Sequence, residues 1–452
     1  MFKKIQHIHF VGIGGSGMSG IAEVLINLGY QVSGSDLKET PVTQRLAKLG
    51  ARIAIGHAAP NVEGAHVVVT STAVASKNPE VIAARAQSIP IIPRIEMLAE
   101  IARLKYTIAI AGTHGKTTTT SMVAAVLQAG GLDPSVIVGG RLKHLESGAR
   151  LGKGDYLVAE ADESDGSFLK LSPALAVITN IDNDHLDYYG SIEKIADAFV
   201  QYAGRVPFYG AVIACFDDPL LRANIPRMTR RIVTYGFDEQ AQIRADAWTN
   251  EGQLSRFDVC GPKGKLGKIQ LHVPGKHNVL NALAAVAIGL ELDLPFSAIA
   301  DGLASFEGVG RRLEIKGEAH GVLVIDDYGH HPTEVRATLA ALRSRYPQRR
   351  IVALFQPHRF SRTQALWNEF AQSFGDADHV LLMDIYPAGE EPIEGVTSGL
   401  ILAPLQTRQA SASAAPQPMT GAALKAVLKP GDVLLTLGAG DVWKYGEQLI
   451  HS

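Results

Sequence analysis

The sequence is poor in cysteine, carries no excess of charge of either sign and contains no long apolar run. Its 452 residues include only two cysteines, Cys215 and Cys260, far apart and in no metal-binding spacing. This usage fits a reducing compartment and argues against a disulfide framework. The net charge of −2 predicts no nucleic-acid partner. No apolar stretch approaches the roughly 20 residues of a membrane span, and the N-terminus does not resemble a signal peptide. We therefore predict a cytoplasmic protein without membrane insertion.

Length and composition predict several α/β domains. The chain has room for roughly three domains of ordinary size. Its 46% of apolar residues and many glycines are typical of parallel sheets, whose buried strands are continuous apolar runs. We predict three successive α/β domains. They span 1–105, 106–308 and 309–452. The glycine motifs at 12–17 and 112–118 predict a Rossmann-like first domain and a central P-loop ATPase domain, and we expect a Rossmann-like C-terminal domain.

A phosphate-binding pattern organises residues 106–122. An apolar run leads into Gly-Thr-His-Gly-Lys-Thr-Thr at 112–118, and a hydroxyl-rich helix start follows. Glycines let backbone N–H groups converge on phosphate oxygens, and the helix N-terminus adds partial positive charge. Lys116 would reach the outer phosphates, and Thr117 would ligate magnesium. The loop is shorter than the usual pattern, because Ile110 stands where a glycine is expected, and a plain strand–helix turn is the alternative.

A second glycine turn lies near the N-terminus. Gly12, Gly14 and Gly17 match the G-x-G-x-x-G fingerprint, and the acidic residue expected about 20 positions on is Asp36. Taken alone, this fingerprint is as consistent with a nicotinamide-dependent dehydrogenase as with other uses of the turn. Physically it indicates a diphosphate at a helix N-terminus and does not specify what the diphosphate carries.

Two acidic runs follow apolar runs in the central part of the chain. Glu160 ends one apolar run and precedes acids at 162–165, and the second acidic run spans 182–187. Ligands bind where parallel strands end, so both runs are expected beside the phosphate loop. A solvated loop is the alternative for each run alone. We favour Glu160 and His185 as ligands of Mg²⁺ (or Mn²⁺, which accepts imidazole more readily).

Polar residues also mark later parts of the chain. Asn278 and Asn281 are spaced i, i+3 at the start of a predicted helix, where they would either cap that helix or contact an adenine edge. Beyond residue 308, several predicted strands end in polar residues, again typical of an active-site edge. Residues 403–420, rich in Ala, Ser, Pro and Gln, are predicted to be a loose surface loop.

Assembled in order, these motifs resemble those of the Mur ligase family, the ATP-dependent amide-forming enzymes of peptidoglycan precursor synthesis. The resemblance runs almost end to end. It rests on residues 11–18, 112–118, 160–165, 180–187, 310–312, 326–333 and 357–363. Each segment is a weak or moderate signal alone, whereas the ordered set is highly specific.

The resemblance implies a ligase with ATP, UDP-N-acetylmuramate and L-alanine as substrates and Mg²⁺ (or Mn²⁺) as cofactor. ATP would convert the lactyl carboxylate to an acyl phosphate, which the amine of alanine then attacks. The first domain would hold the UDP-sugar, the second ATP and the third the amino acid. The first glycine turn would then bind the diphosphate of UDP instead of a dinucleotide. We expect a monomer or weak homodimer.

The resemblance also implies roles for individual residues. The expected catalytic residues are Lys116, Glu160, His185 and Arg312, with Arg312 reaching the γ-phosphate on domain closure. The expected metal ligands are Thr117, Glu160 and His185. The expected ATP-binding residues are Gly112, Thr113, His114, Gly115, Lys116, Thr117, Thr118, Asn278, Asn281 and Asp327, with Asp326 as an alternative to Asp327. The expected UDP-sugar-binding residues are Gly12, Gly14, Gly15, Ser16, Gly17, Met18, Asp36 and Ser71. The expected amino-acid-binding residues are His330, His358 and Arg359.

One position departs from the wider family. Several members carry a carbamylated lysine on the helix after the His185 segment. Here Phe199 or Val200 stands near that position and Lys194 lies more than a turn too early, so we predict an unmodified site. Three other functions are alternatives: a ligase that recycles a preformed peptide, a nicotinamide dehydrogenase and a non-catalytic nucleotide-binding scaffold.

Overall fold

The computed structural model describes residues 5–71, 73–138, 149–251, 254–408 and 411–451, with only the backbone described for Ser16 and Glu251. Three β-sheets follow one another along the chain. The predicted fold class, three successive α/β units, is confirmed. None of the helices in the described ranges is long and apolar enough to cross a membrane.

The first sheet is fully parallel and has the strand order β3-β2-β1-β4-β5. Its strands are β1 (His7–Val11), β2 (Gln31–Asp36), β3 (Arg52–Ile55), β4 (Val67–Thr70) and β5 (Ile91–Pro93). Its helices are α1 (Ser16–Asn27), α2 (Pro41–Lys48), α3 (Pro79–Ala86) and α4 (Arg94–Ala102). The strand order reverses beside β1, so the glycine turn after β1 lies at the point where such sheets bind ligands.

The central sheet combines parallel strands with an antiparallel extension, in the order β15-β14-β13-β12-β11-β10-β6-β9-β7-β8. Its strands are β6 (Tyr106–Ala111), β7 (Ser135–Ile137), β8 (Ala149–Arg150), β9 (Tyr156–Glu160), β10 (Leu175–Ile178), β11 (Ala211–Cys215), β12 (Ile232–Gly236), β13 (Ile243–Glu251), β14 (Leu254–Gly261) and β15 (Gly264–Leu271). Its helices are α5 (Lys116–Ala129), α6 (Leu186–Tyr189), α7 (Ile192–Gly204), α8 (Pro219–Asn224), α9 (Lys276–Glu291) and α10 (Phe296–Ala304). Strand β6 lies between β9 and β10, so all three strands end at one edge.

The third sheet has the order β16-β17-β21-β18-β19-β20, with β16 antiparallel to its neighbour. Its strands are β16 (Glu314–Ala319), β17 (Val322–Asp327), β18 (Ile351–Phe355), β19 (His379–Leu382), β20 (Ala412–Ala414) and β21 (Val433–Leu437). Its helices are α11 (Pro332–Arg345), α12 (Phe360–Ala371), α13 (Gly399–Arg408), α14 (Gly421–Val427) and α15 (Trp443–Ile450).

The prediction of a loose surface loop at 403–420 was wrong for 403–408 and 412–414, whereas 415–420 contain no helix or strand. Helix α13 continues to Arg408, and β20 adds a parallel edge strand, with Ala412 opposite Val380. Leu405 and Ala412 are buried. Small residues fit against the edge of the third sheet. A segment whose composition suggested a loose loop therefore forms regular structure there. Residues 409–410 lie outside the described part of this segment.

A buried carboxylate connects β2, α3 and the loop between β3 and β4. Glu80 is 0% exposed. Its Oε2 accepts a hydrogen bond from Ser35 Oγ at 2.6 Å, and its Oε1 accepts one from the Asn61 amide. His9 Nε2 lies 3.6 Å and His57 Nδ1 3.4 Å from Oε2. Burial raises the pKa of Glu80, but the nearby His9 imidazole and the hydrogen bonds from Ser35 and Asn61 outweigh this effect and lower the pKa to about 2.

We expect Glu80→Ala to lower the free energy of unfolding by about 3–5 kcal/mol, because it leaves buried polar partners uncompensated. Since the folded-state pKa of Glu80 is depressed, its contribution is present above about pH 4.5 and is lost as the pH falls toward 2. Urea denaturation, with hydrogen exchange in β1 and β2 as a local readout, measures the loss. The exposed Glu63→Ala in the same unit is the control, with an expected change within about 0.5 kcal/mol. Equal stability of the two variants would contradict a stabilising role for the buried Glu80 carboxylate.

Candidate active site

The phosphate loop connects β6 to α5 and depends on its two glycines. Gly112 has a φ of +124° and Gly115 a φ of +83°. A Cβ on Gly112 would lie 2.0 Å from Thr179 Oγ1, and one on Gly115 would lie 2.7 Å from Asn281 Oδ1. Asn180 holds the loop from the neighbouring strand end, since its Oδ1 accepts the His114 N–H at 2.8 Å. The loop is therefore a fixed turn at the carboxyl end of the sheet.

Lys116 lies beneath this loop, in contact with a buried acid. Its Nζ donates to both carboxylate oxygens of Glu163, at 2.9 and 2.8 Å, and to the Gly112 carbonyl at 2.8 Å. Burial lowers the pKa of Lys116, but the negative charges of Glu163, Asp162 and Glu160 raise it by a larger amount. The pKa of Lys116 therefore lies above its usual value. Glu163, only 1% exposed, was not among the predicted site residues.

The predicted metal ligands lie around Lys116. Thr117 is in the first turn of α5, and Glu160 is the last residue of β9, paired in register with Ile110 of β6. His185 comes from the segment after β10, and its Nε2 lies 3.9 Å from Glu163 Oε1. Three neighbouring strand ends thus bring these residues to one edge of the sheet.

His185 has a left-handed backbone conformation, with φ +56°, which is unusual for a residue other than glycine. Its N–H donates to Asp184 Oδ1 at 2.9 Å. Asp184 in turn accepts hydrogen bonds from Arg362 of α12, at 3.0–3.1 Å, and both side chains are buried. Burial raises the pKa of Asp184, but the Arg362 guanidinium outweighs it and holds that pKa far below its ordinary value. A side chain of the third unit therefore supports the conformation of His185 in the second.

A cavity of about 330 Å³ lies between the phosphate loop and the third unit. Its size is within the usual range for small-molecule sites. His114 and Gly115 line one side, and Arg312 and Asp327 line the other. Asp326 lies outside the cavity lining and instead accepts a hydrogen bond from Arg311 Nε at 2.9 Å. The structure therefore favours Asp327 over Asp326 as the cavity acid.

The two asparagines lie in the lining of this cavity and do not cap their helix. Helix α9 begins after Gly275 without a side-chain cap. Asn278 Nδ2 donates to the Pro274 carbonyl at 2.7 Å, and Asn281 Oδ1 accepts from Thr119 Oγ1 at 3.1 Å. The capping alternative is wrong, and both carboxamides lie at the cavity wall.

Arg312 faces the cavity next to an acid of α11. Its Nη1 lies 3.4 Å from Glu334 Oε1, and its guanidinium carbon lies 5.4 Å from the centre of the Tyr328 ring. Glu334 also lies 3.4 Å from Nδ1 of His114, so it contacts both the phosphate loop and Arg312. Burial lowers the pKa of His114, but hydrogen bonds to Asp182 and Glu334 raise it to about 9.

One of the three predicted amino-acid-binding residues, Arg359, lines a second, smaller cavity of about 40 Å³ together with Asp184, His185 and Arg362 among others, whereas His330 and His358 lie outside its lining. Arg359 precedes α12 with a φ of +72°, and its N–H donates to the Tyr386 carbonyl at 2.9 Å. The rings of His330 and His358 lie 5.6 Å apart. Burial lowers the pKa of His330 to about 3 and that of His358 to about 4. Both imidazoles are therefore neutral at pH 7.

The N-terminal glycine turn lies at the carboxyl end of β1, the central strand of the first sheet. Gly14 N–H donates to Asp36 Oδ2 at 2.9 Å, so Asp36 braces the turn itself. A Cβ on Gly17 would lie 2.2 Å from Arg94 Nη1, which places the Arg94 guanidinium against the turn. Of the other predicted residues, Met18 is buried, Gly15 is exposed, Ser71 follows the neighbouring strand β4, and the side chain of Ser16 lies outside the described residues.

These features define an α/β protein of three units with a phosphate loop and two cavities at the junction of the second and third. The chain belongs to the Mur ligase family. Models of the family match residues 7–106 (Mur ligase family, catalytic domain), 110–289 (Mur ligase middle domain) and 311–440 (Mur ligase, glutamate ligase domain). The resemblance drawn from the sequence motifs is confirmed.

Individual relatives cover the chain from end to end. The chain is 57% identical to a UDP-N-acetylmuramate–L-alanine ligase of Endomicrobium trichonymphae, over 100% of this chain and 99% of that protein. It is 56% identical to the protein of the same name from Geobacter sulfurreducens, covering 100% and 98%. The crystal structure of UDP-N-acetylmuramate-alanine ligase from Thermotoga maritima superimposes with a TM-score of 0.80 at 31% identity, covering 98% of each chain.

Proposed function

We propose that this protein joins L-alanine to the lactyl carboxylate of UDP-N-acetylmuramate, with conversion of ATP to ADP and phosphate, in peptidoglycan precursor synthesis. The observation that carries the proposal is the junction of the phosphate loop with Arg312 and Arg359 of the third unit. Relatives at 54–57% identity that bear the name of this reaction support it.

The chemistry explains why two sites must meet at this junction. A carboxylate is a poor acylating agent, so ATP first converts it to an acyl phosphate. The amine of alanine then attacks the acyl carbon, and phosphate leaves from the tetrahedral intermediate. The first step brings two anions together, which makes it chiefly a problem of positioning and charge stabilisation. Closure of the third unit excludes water that would hydrolyse the acyl phosphate.

The larger cavity is proposed to hold ATP. Lys116 and the N-terminus of α5 bind the β- and γ-phosphates, and Arg312 stabilises charge on the transferring phosphoryl group. Asn278 and Asn281 contact the nucleoside, and Asp327 lies near the ribose. Burial raises the pKa of Asp327 to about 6, so this carboxyl is largely ionised at pH 7 and accepts hydrogen bonds there.

A divalent cation fits the residues around Lys116. Glu160, Asp162 and Glu163 place three negative charges there, against the two positive charges of Lys116 and Arg94. Thr117, Glu160 and His185 would hold Mg²⁺ or Mn²⁺, donors that suit such ions. When bound, the ion neutralises charge on the phosphates and the attacking carboxylate. Lys194 is exposed and Phe199 is buried against Phe168, which supports a site without carbamylated lysine.

The first unit, residues 1–105, is proposed to hold the UDP-sugar. The turn of Gly12 to Met18 receives the diphosphate at the N-terminus of α1. Arg94 adds a positive charge against this turn, and its Nη2 lies 3.7 Å from Asp162 of the central unit. Residues 106–308 then form the ATP-binding domain and 309–452 the amino-acid-binding domain. We also propose a cytoplasmic location, where ATP is available, and a monomer or weak homodimer.

The smaller cavity is proposed to hold L-alanine. Arg359 pairs with its carboxylate, since a guanidinium binds a carboxylate with two parallel hydrogen bonds. His330 and His358 are neutral and accept hydrogen bonds, so they orient the amine. Their low pKa values make them weak bases.

The reaction is tested by phosphate release from ATP with Mg²⁺ and UDP-N-acetylmuramate, in the presence of L-alanine, a muropeptide or neither. We expect release with L-alanine only, and a product heavier by one alanyl residue. Release with the muropeptide alone would instead indicate a peptide-recycling ligase. No release in any mixture would contradict the proposal.

Arg362 is proposed as a positioning residue that acts through Asp184 on His185. We expect Arg362→Ala to raise the Mg²⁺ concentration for half-maximal activity by about 10–100-fold, the usual effect of losing a group that supports a metal ligand. Gln364→Ala, an exposed change on the same helix, is the control. A normal Mg²⁺ dependence in folded Arg362→Ala would disprove the positioning role.

A further inference from the structure

A cluster of two imidazoles and one carboxylate lies at the junction of the phosphate loop, the segment after β10 and the third unit. It consists of His114, Asp182 and His331, and one ligand atom from each lies within 4.8 Å of the others. His114 Nε2 is 3.0 Å and His331 Nδ1 is 3.5 Å from Asp182 Oδ2. We propose that this cluster is a binding site for a transition-metal ion of the Zn²⁺ class, separate from the site of Thr117, Glu160 and His185.

The spacing of the donor atoms suits such an ion. Zinc bonds of about 2.0–2.2 Å in tetrahedral geometry separate neighbouring ligand atoms by roughly 3.3 Å. The two distances to Asp182 bracket that separation. Two nitrogens and one oxygen favour Zn²⁺, Co²⁺ or Ni²⁺ over Mg²⁺, which prefers oxygen ligands. Three protein ligands leave a fourth position for water.

Each ligand also has the second partner that metal ligands normally have. Nδ1 of His114 lies 3.4 Å from Glu334 Oε1, which would orient the ring with Nε2 toward the ion. Nε2 of His331 lies 3.3 Å from the Asn183 carbonyl, which leaves Nδ1 as the ligand atom. Thr333 Oγ1 donates to Asp182 Oδ2 at 2.6 Å. The cluster is thus oriented from outside as well as closely spaced.

Binding exchanges existing contacts for bonds to the ion. Without metal, a proton on His114 Nε2 makes the contact with Asp182, and it is released when the ion binds. His331 Nδ1 also accepts the Thr333 N–H at 3.3 Å, a weak cap of α11 that would be lost. Because the ligands come from both sides of the junction, the ion would fix the third unit against the phosphate loop.

The test is a titration of the full-length protein with Co²⁺ alone, without nucleotide or substrate. We expect the intense visible absorption of a tetrahedral Co²⁺ site to saturate at one Co²⁺ per chain and to disappear when Zn²⁺ displaces the ion. His331→Asn, which keeps a helix-capping side chain, should abolish this absorption. Glu334→Gln should weaken binding by about 10–100-fold. His330→Ala, at the adjacent position, is the matched control and should bind normally.

Two results would overturn the site. One is the absence of saturable Co²⁺ binding, which would leave the cluster as a proton-bearing imidazole between carboxylates. The other is unchanged binding in His331→Asn. Because neither nucleotide nor UDP-sugar is present, the outcome is independent of the proposed ligase reaction. Slower hydrogen exchange at residues 182–185 on addition of Zn²⁺ would further support fixation of the junction.

Discussion

Replacement of Lys116 by alanine is expected to lower kcat by about 10³-fold or more, because it removes the lysine proposed to bind the β- and γ-phosphates. Binding of UDP-N-acetylmuramate should stay within about twofold, since the proposed UDP-sugar site lies in the first unit. Steady-state phosphate release measures the first effect, and calorimetry with the UDP-sugar alone measures the second.

Lys116→Ala also leaves the buried Glu163 carboxylate without its counter-ion, so a folding defect must be separated from a catalytic one. The double variant Lys116→Ala/Glu163→Gln removes the uncompensated charge. We expect it to regain wild-type resistance to urea but no activity. Recovery of turnover in the double variant would mean that Lys116 serves the fold and does not bind phosphates.

Arg312→Ala is expected to lower kcat by about 10³–10⁵-fold, the range known for arginines that stabilise a transferring phosphoryl group. The KM for ATP should change much less, because this interaction strengthens in the transition state. Steady-state kinetics with ATP varied and the other substrates saturating measures both values. An increase in the KM for ATP as large as the decrease in kcat would indicate that Arg312 also binds ATP in the ground state.

The neighbouring arginine is a matched control for this experiment. Arg311 donates to Asp326 at 2.9 Å and to the Gly438 carbonyl at 2.7 Å, so it connects β17 to the loop after β21. We expect Arg311→Ala to lower the midpoint of thermal unfolding while the folded fraction keeps most of its turnover. If Arg311→Ala and Arg312→Ala lose activity equally, the proposal that Arg312 stabilises the transferring phosphoryl group is wrong.

The sequence predicted the features that depend on local pattern. The three α/β units and both glycine turns follow from apolar runs that end in glycine, lysine or acid. Glu160 and His185 could be placed at one edge because parallel strands end together. The family resemblance is confirmed by full-length relatives, whereas the roles of these residues stay predictions.

Contacts between distant segments could not be predicted from pattern. Asp184 and Arg362 are 178 positions apart, and no periodicity links an acid in one unit to a cation in another. Glu163 was visible only as one acid among several, and its burial against Lys116 depends on the packing of the sheet edge. The error at 403–420 has a similar cause, because composition does not reveal that a neighbouring strand leaves an edge to be paired.

The most direct test of the account follows an oxygen atom. UDP-N-acetylmuramate labelled with oxygen-18 in its lactyl carboxylate is incubated with the enzyme, ATP, Mg²⁺ and L-alanine, and the released phosphate is analysed by mass spectrometry. An acyl phosphate requires that one carboxylate oxygen leaves with the phosphate, so we predict labelled phosphate in a one-to-one ratio with the alanyl product. Product formation with unlabelled phosphate would contradict the mechanism.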